Sequence, residues 1–212
     1  MSVVESSGIY RYWRGGEDQG IVEAWRRIRH ADGTLETEVT RDAPAFGAWI
    51  GVHTWQHSVG TDFQRVEVIW RSTNPGAVAD RRAIYTFSPL TVQIDDSTPF
   101  RPDTPPHYIT APLMRIFISP TIRQLAAQGG RGQVLIPDIT TPTSAERLLL
   151  PLFEERTVTF LRHETLPEYP AIAAEVYSYT SQNYDAEAQF WLVDNVLLRY
   201  CFGDWDIHLT DW

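Results

Sequence analysis

The chain has 212 residues, 43% of them hydrophobic and 21% charged, with a formal net charge of −9. That is ample material for a core, and a single domain over residues 1–212 is the default for an all-β chain of this length. The negative balance argues against a nucleic-acid partner, whose phosphates need a basic face, and against docking on an anionic membrane surface.

All eighteen basic residues are arginine, which excludes lysine Schiff-base or general-base chemistry. Apolar runs are a handful of residues long, far short of the ~20 that a membrane helix needs, so no integral membrane segment is expected. The stretch Met1–Gly8 is polar and lacks the basic start and apolar run of a secretory leader. The lone Cys201 rules out an intramolecular disulfide framework, and the combination points to a cytoplasmic protein.

In chain order, Ile9 to Arg14 alternates as a strand and turns at Gly15-Gly16. Gly20 to Arg29 and Thr34 to Arg41 form a charged hairpin across Asp32-Gly33. With Glu36 and Glu38 facing arginines, it reads as a solvated edge. Phe46 to Ser58, Phe63 to Ser72, Arg82 to Ser88 and Leu90 to Asp95 read as further strands. Asp96 to Pro112 carries five prolines and reads as an irregular cover or lid. Leu113 to Ile118 reads as a short strand. Ser119 then caps a helix near 120–128, with Pro120 at its first position, Ile122, Leu125 and Ala126 inward, and Gly129-Gly130 as its stop. Gly132 to Ile139, Arg156 to His163 and Ala173 to Thr180 are strands, and Thr143 with Glu146 resembles a capping box cut short by Pro151.

The closing stretch, Tyr184 to Trp212, is the most informative. Two runs of aromatic and branched residues flank Asp194-Asn195, the signal of a two-residue hairpin turn. Outward pairing sets Val193 against Val196, Trp191 against Leu198, Gln189 against Tyr200 and Glu187 against Phe202. Ala188, Phe190 and Leu192 then share the other face with Leu197, Arg199 and Cys201. Both faces are largely apolar, so the sheet needs cover on both sides. The expected architecture is mainly β: one antiparallel sheet curled into a barrel or half-barrel, with a single short helix.

No sequence fingerprint names a reaction or a cofactor, and none is expected. His53 and His57, four apart on a strand, would lie ~13 Å apart and cannot chelate one ion, so no metal is expected either. Asp204-x-Asp206 echoes the acidic pair of metal-dependent sugar-nucleotide enzymes but lacks the αβ units that accompany it. What stands out is aromatic content inside strands. Trp70, Tyr85, Phe87, Phe117, Tyr177, Tyr179, Trp191, Tyr200 and Trp205 all fall there, and a concave face built from such rings, with Arg115, Glu187 and Gln189 to orient a polar head, would suit an apolar or amphiphilic small molecule.

Trp13-Arg14-Gly15 near the start, Ile69-Trp70-Arg71, the proline-rich middle, and Phe190-Trp191-Leu192-Val193-Asp194 with Leu197-Leu198-Arg199-Tyr200 give a pattern that spans most of the chain. It resembles the glycolipid-binding and lipoprotein-carrier group of β-roll half-barrels. The resemblance implies a lipid or glycolipid held on a concave face bearing Trp70, Phe87, Trp191 and Tyr200. Two other readings stand beside it. One is an isomerase, lyase or cyclase using a buried Glu or His in the same cavity. The other is an assembly protein, such as a homodimer, whose second apolar face is a subunit interface.

Overall fold

A computed structural model describes residues 2–44, 47–57, 62–73, 79–139, 146–181 and 188–212. Strands β1 (Val3–Arg14), β2 (Glu17–Arg29), β3 (Leu35–Ala43), β4 (Ala48–Gln56), β5 (Phe63–Ser72), β6 (Arg81–Thr86) and β7 (Thr91–Ile94) form an antiparallel meander. The short β8 (Ile109–Thr110) precedes a 3-10 turn at Arg115–Phe117 and helix α1 (Ile118–Ala127). Strands β9 (Arg131–Pro137), β10 (Pro151–Thr165), β11 (Ala173–Thr180), β12 (Gln189–Val193), β13 (Val196–Phe202) and β14 (Trp205–Asp211) complete the chain. All belong to one unclosed, 14-stranded sheet, in the order β7-β6-β5-β4-β3-β2-β1-β14-β13-β12-β11-β10-β9-β8. The expected curled, mainly β architecture with one short helix is what the chain forms. Every pairing is antiparallel except that of edge strand β8 with β9.

The alternation of each strand puts one set of side chains into a common interior. A row of directly opposed residues runs Tyr10, Glu23, Arg41, Ile50, Trp70, Arg81 across β1 to β6. A second runs Tyr12, Ile207, Tyr200, Phe190, Tyr177 across β1, β14, β13, β12 and β11. The two ends of the sheet meet through this interior. Tyr85 Oη on β6 donates to the Leu149 carbonyl just before β10 at 2.5 Å, and the Phe63 ring on β5 meets Phe117 edge-on at 6.0 Å.

The structure differs from the sequence expectation at three places. The β2–β3 hairpin is not an edge: β3 pairs with both β2 and β4, and its inward residues Leu35, Thr37 and Val39 are fully buried. Charged outer-face residues masked a central strand. Leu113 to Ile118 is not a strand but the 3-10 turn leading into α1, entered through a positive φ at Leu113 (51°). Its near-continuous apolar run reflects burial on several sides, which alternation alone cannot tell from a strand. Consequently Ser119 lies inside the helix and does not cap it, and Ala126 is exposed while Ile122 and Leu125 form the buried stripe. Gly129 and Gly130, at φ 91° and 84°, do end the helix, with Gly130 N–H on the Leu125 carbonyl at 2.8 Å. Thr143 lies outside the described residues.

The Asp194-Asn195 turn forms as expected, with Asp194 at φ 48° and Val193 opposite Val196. Its carbonyl accepts from Ser119 Oγ at 3.0 Å and from Arg123 Nε, which fastens the hairpin tip to α1. Arg123 also pairs with Glu175 of β11 at 2.7 Å.

Phe190 is the central ring of this half. It stacks on Tyr200 (4.5 Å, 22°) and meets Tyr179 edge-on at 5.5 Å, fully buried. Phe190→Ala is expected to cost about 3–5 kcal/mol in urea-unfolding free energy, the range for an aromatic removed from a core that cannot collapse onto the gap.

Candidate ligand cavity

Two hollows adjoin inside the curl. The larger, about 410 Å³, is walled by apolar side chains, among them Ile50 and Ile207, and by the rings of Tyr12, Trp70, Tyr200, Phe202 and Trp205. The smaller, about 290 Å³, is lined by Met114, Phe117, Ile136, Asp138, Glu154, Arg156 and Tyr179 among others. Arg41, Arg115 and Ile139 belong to both and form the partition between them. Volumes of this size suit a small organic ligand.

The two partition arginines are held differently. The chain reaches Arg115 from β8 by way of Leu113, and the backbone N–H of Arg115 donates to Glu23 Oε1 at 2.5 Å. Glu23 is fully buried on β2, and its other oxygen accepts from Tyr12 Oη at 2.7 Å. The Arg115 guanidinium lies 5.7 Å from the Tyr12 ring and 5.1 Å from the Tyr200 ring, so cation–π contact fixes it over two walls of the larger hollow. Burial, and then the Glu23 carboxylate, push the Tyr12 phenol well above its usual range; it stays a hydrogen-bond donor at any ordinary pH. Arg41 projects from β3 into the same space, half-buried. Among the described residues no carboxylate forms an ion pair with it.

Of the side chains expected from sequence, Trp70, Arg115 and Tyr200 line the larger hollow, and Arg115 and Phe117 the smaller. Tyr85 is inside but spent on Leu149, and Phe87 packs beside Phe63 at 6.2 Å, outside both hollows. Tyr177 faces inward near α1, edge-on to Phe160 at 5.5 Å. Trp191 and Gln189 lie on the outer face. An extra residue, Leu198, bulges from β13, so Trp191 pairs with Arg199 and Gln189 with Cys201 instead of Leu198 and Tyr200. Trp191 therefore turns its back on the interior, donates Nε1 to Glu164 at 3.2 Å, and is covered by the Arg199 guanidinium at 5.3 Å. Gln189 accepts from Arg162 at 3.0 Å. Glu187 lies outside the described residues.

Sequence reading missed Tyr12, Arg41 and Phe202 as cavity residues. Their signal was present in period-2 alternation, but only the true register of β3, β13 and β14 brings them to one wall.

Buried carboxylates do reach the interior, as an enzymatic reading needs, yet each is engaged. Glu23 is held as described, Glu154 accepts from Arg156 at 2.5 Å, and Asp138 pairs with Arg147 at 3.5 Å. On the outer face, Asp206 is gripped by Arg199 at 2.7 Å, by His208 at 2.9 Å and by the Cys201 thiol at 3.2 Å, and Asp204 by Arg14 at 2.8 Å. The acidic pair singled out in the sequence is thus neutralised by local cations. Burial works to raise the Asp206 carboxyl, but hydrogen bonds from His208, Arg199 and Cys201 outweigh it and hold the group well below the usual carboxylate range.

No protein-family model matches this sequence, and no curated protein matches it. Among solved structures, the chain is similar to a beta-barrel-like protein of a domain of unknown function from Brucella abortus. The TM-score is 0.50 at 8% identity, over 99% of this chain and 98% of that one. The likeness establishes a β-barrel-like fold. It supports the β-roll part of the resemblance drawn from sequence and is silent on glycolipids. Among the described residues, no helix is long and apolar enough to cross a membrane.

Two outcomes follow from this geometry. Burial, then the neighbouring Asp206 carboxylate, push the Cys201 thiol up to about 12. It should stay protonated at pH 8 and react with a disulfide reagent at least ~100-fold more slowly in the native protein than in urea, where a thiol near 8.5 is partly ionised. Tyr12→Phe removes a hydrogen bond to a buried carboxylate and should destabilise the fold by roughly 1.5–3 kcal/mol in chemical denaturation.

Proposed function

We propose that this protein is a small-molecule binding protein that holds an amphiphile inside the curled sheet. The apolar body lies against Tyr12, Ile50, Trp70, Tyr200 and Trp205, and an anionic head sits between Arg41 and Arg115. The observation that carries the reading is the pairing of an aromatic-walled hollow of about 410 Å³ with a guanidinium, that of Arg41, that has no ion-pair partner among the described residues. A cation at the border of an apolar space favours a carboxylate or phosphate there, because such a head supplies charge-assisted hydrogen bonds that no carboxylate among the described residues gives it. Arg115 adds a second cation already fixed by two rings, so little ordering is needed when the head arrives.

The rings make the hollow selective for flat or unsaturated chains as well as alkyl ones, since each offers area without rotamer entropy. The reading keeps the lipid-like ligand class implied by the β-roll resemblance and replaces its polar clamp: Arg41 takes the place expected for Gln189.

The test is an equilibrium fluorescence titration using Trp70 and Trp205, which face the hollow. A saturable change is expected with a long-chain carboxylate and a weaker one with the corresponding alcohol. Arg41→Gln should weaken carboxylate binding about 10- to 100-fold, the worth of one hydrogen-bonded charge, and leave the alcohol unchanged. Saturation by neither probe, or a carboxylate affinity indifferent to Arg41→Gln, overturns the reading.

A further inference from the structure

On the outer face, away from both hollows, three ligating side chains converge on β3 and β4. Glu36 and Glu38 stand two apart on β3 and so project from the same side of the sheet. His53 of β4 is directly opposite Glu38. One oxygen of Glu36, one of Glu38 and Nε2 of His53 all lie within 4.8 Å of one another. His53 Nε2 is hydrogen-bonded to Glu36 Oε1 and lies 3.8 Å from Glu38 Oε1. The second oxygen of Glu36 is bonded by His30 Nε2, and His30 Nδ1 is in turn 2.9 Å from Ser2 Oγ.

We infer that Glu36, Glu38 and His53 form a binding site for a divalent transition-metal ion of the zinc class. The three supply one imidazole nitrogen and two carboxylate oxygens, and leave a fourth, open position for water.

Distances favour this set. Bonds of ~2.0 Å in a tetrahedron put ligand atoms ~3.3 Å apart, so the His53–Glu38 edge, now 3.8 Å, closes by about half an ångström. The His53–Glu36 contact, now bridged by a proton, opens as the ion replaces that proton. An imidazole among the donors selects zinc-like ions over magnesium or calcium, which prefer oxygen alone.

The surroundings hold each donor in place. The His53 ring lies 3.9 Å from the Trp55 ring, which limits its rotation. Arg26 bonds Glu38 Oε2, leaving Oε1 turned to His53. Ser2 and His30 orient the far side of Glu36, the arrangement by which an outer shell fixes a ligand. Glu67, opposite His53 on β5, is already taken by Arg65 and Arg82 at 2.9 and 2.7 Å and does not compete. His57, just past the end of β4, is 2.7 Å from Gln64 and is not part of the cluster. The objection that histidines four apart on a strand cannot share an ion is correct, but the chelate forms across strands.

Calorimetric titration of chelator-treated protein with Zn²⁺ alone tests the site. One ion per chain is expected, with affinity lowered more than ~100-fold by His53→Gln, Glu36→Gln or Glu38→Gln. His30→Gln, acting only through Glu36, should cost roughly 10- to 100-fold. His57→Gln should leave binding unchanged. On the unmodified protein, Co²⁺ should show the stronger visible absorption of a four-coordinate ion. Absence of saturable Zn²⁺ binding, a Co²⁺ spectrum identical to the free aqueous ion, survival of binding in His53→Gln, or equal loss in His57→Gln each overturns the assignment.

Discussion

A carboxylate sealed from water needs hydrogen-bond donors, and Glu23, in the interior of this protein, has one on each oxygen. Glu23 sits at the middle of the sheet, and its two oxygens draw in groups from distant parts of the chain: the Tyr12 hydroxyl from the neighbouring strand and the Arg115 backbone N–H from the segment that leads into α1. The second bond spans 92 residues and ties the segment leading into α1 to β2. With Arg115 pinned by its backbone, its guanidinium lies over Tyr12 and Tyr200. That choice divides the interior into two hollows. Removing the Tyr12 hydroxyl would leave one buried oxygen of Glu23 without its donor, which costs more than losing an ordinary surface contact.

The two faces of the sheet solve different problems. Inside, rings and branched side chains interlock wherever Arg41 and Arg115 do not hold them apart. Outside, the apolar surplus of β12 and β13 is covered by charge. Arg199 lies over Trp191, Glu164 takes its indole N–H, and Asp206 gathers Arg199, His208 and Cys201. The oily second face of the closing hairpin therefore has polar cover from its own chain.

Much of the fold was legible in the sequence. Period-2 alternation and glycine-rich turns announced most of the strands, and the double glycine marked the helix end. The architecture followed from a chain rich in strands and poor in helix. What was hidden was register. The turn at Asp194 was placed correctly, and the first pairs outward from it hold, but Leu198 inserts one residue and every pairing beyond it shifts. Because side chains alternate, that single residue moved Trp191 and Gln189 to the outer face and left Tyr200 inside. Arg41 was hidden for a different reason. Its strand carries Glu36 and Glu38 on the outer face, so its average polarity is that of an edge, and only the pairing with β4 reveals a buried side. The metal-type cluster was invisible for the same reason. Two of its donors, Glu36 and Glu38, share one strand, and the third, His53, meets them only across the pairing of β3 with β4.

The anchoring of the Asp194 carbonyl by Ser119 and Arg123 has a mechanical consequence. Arg115 and Phe117 belong to the turn that runs straight into α1, and α1 is bolted to the hairpin whose Tyr200 forms the facing wall. Two sides of the larger hollow, at Arg115 and at Tyr200, are thus tied to each other through α1, and the opposite wall is built by Trp70 and Ala48 on β5 and β4.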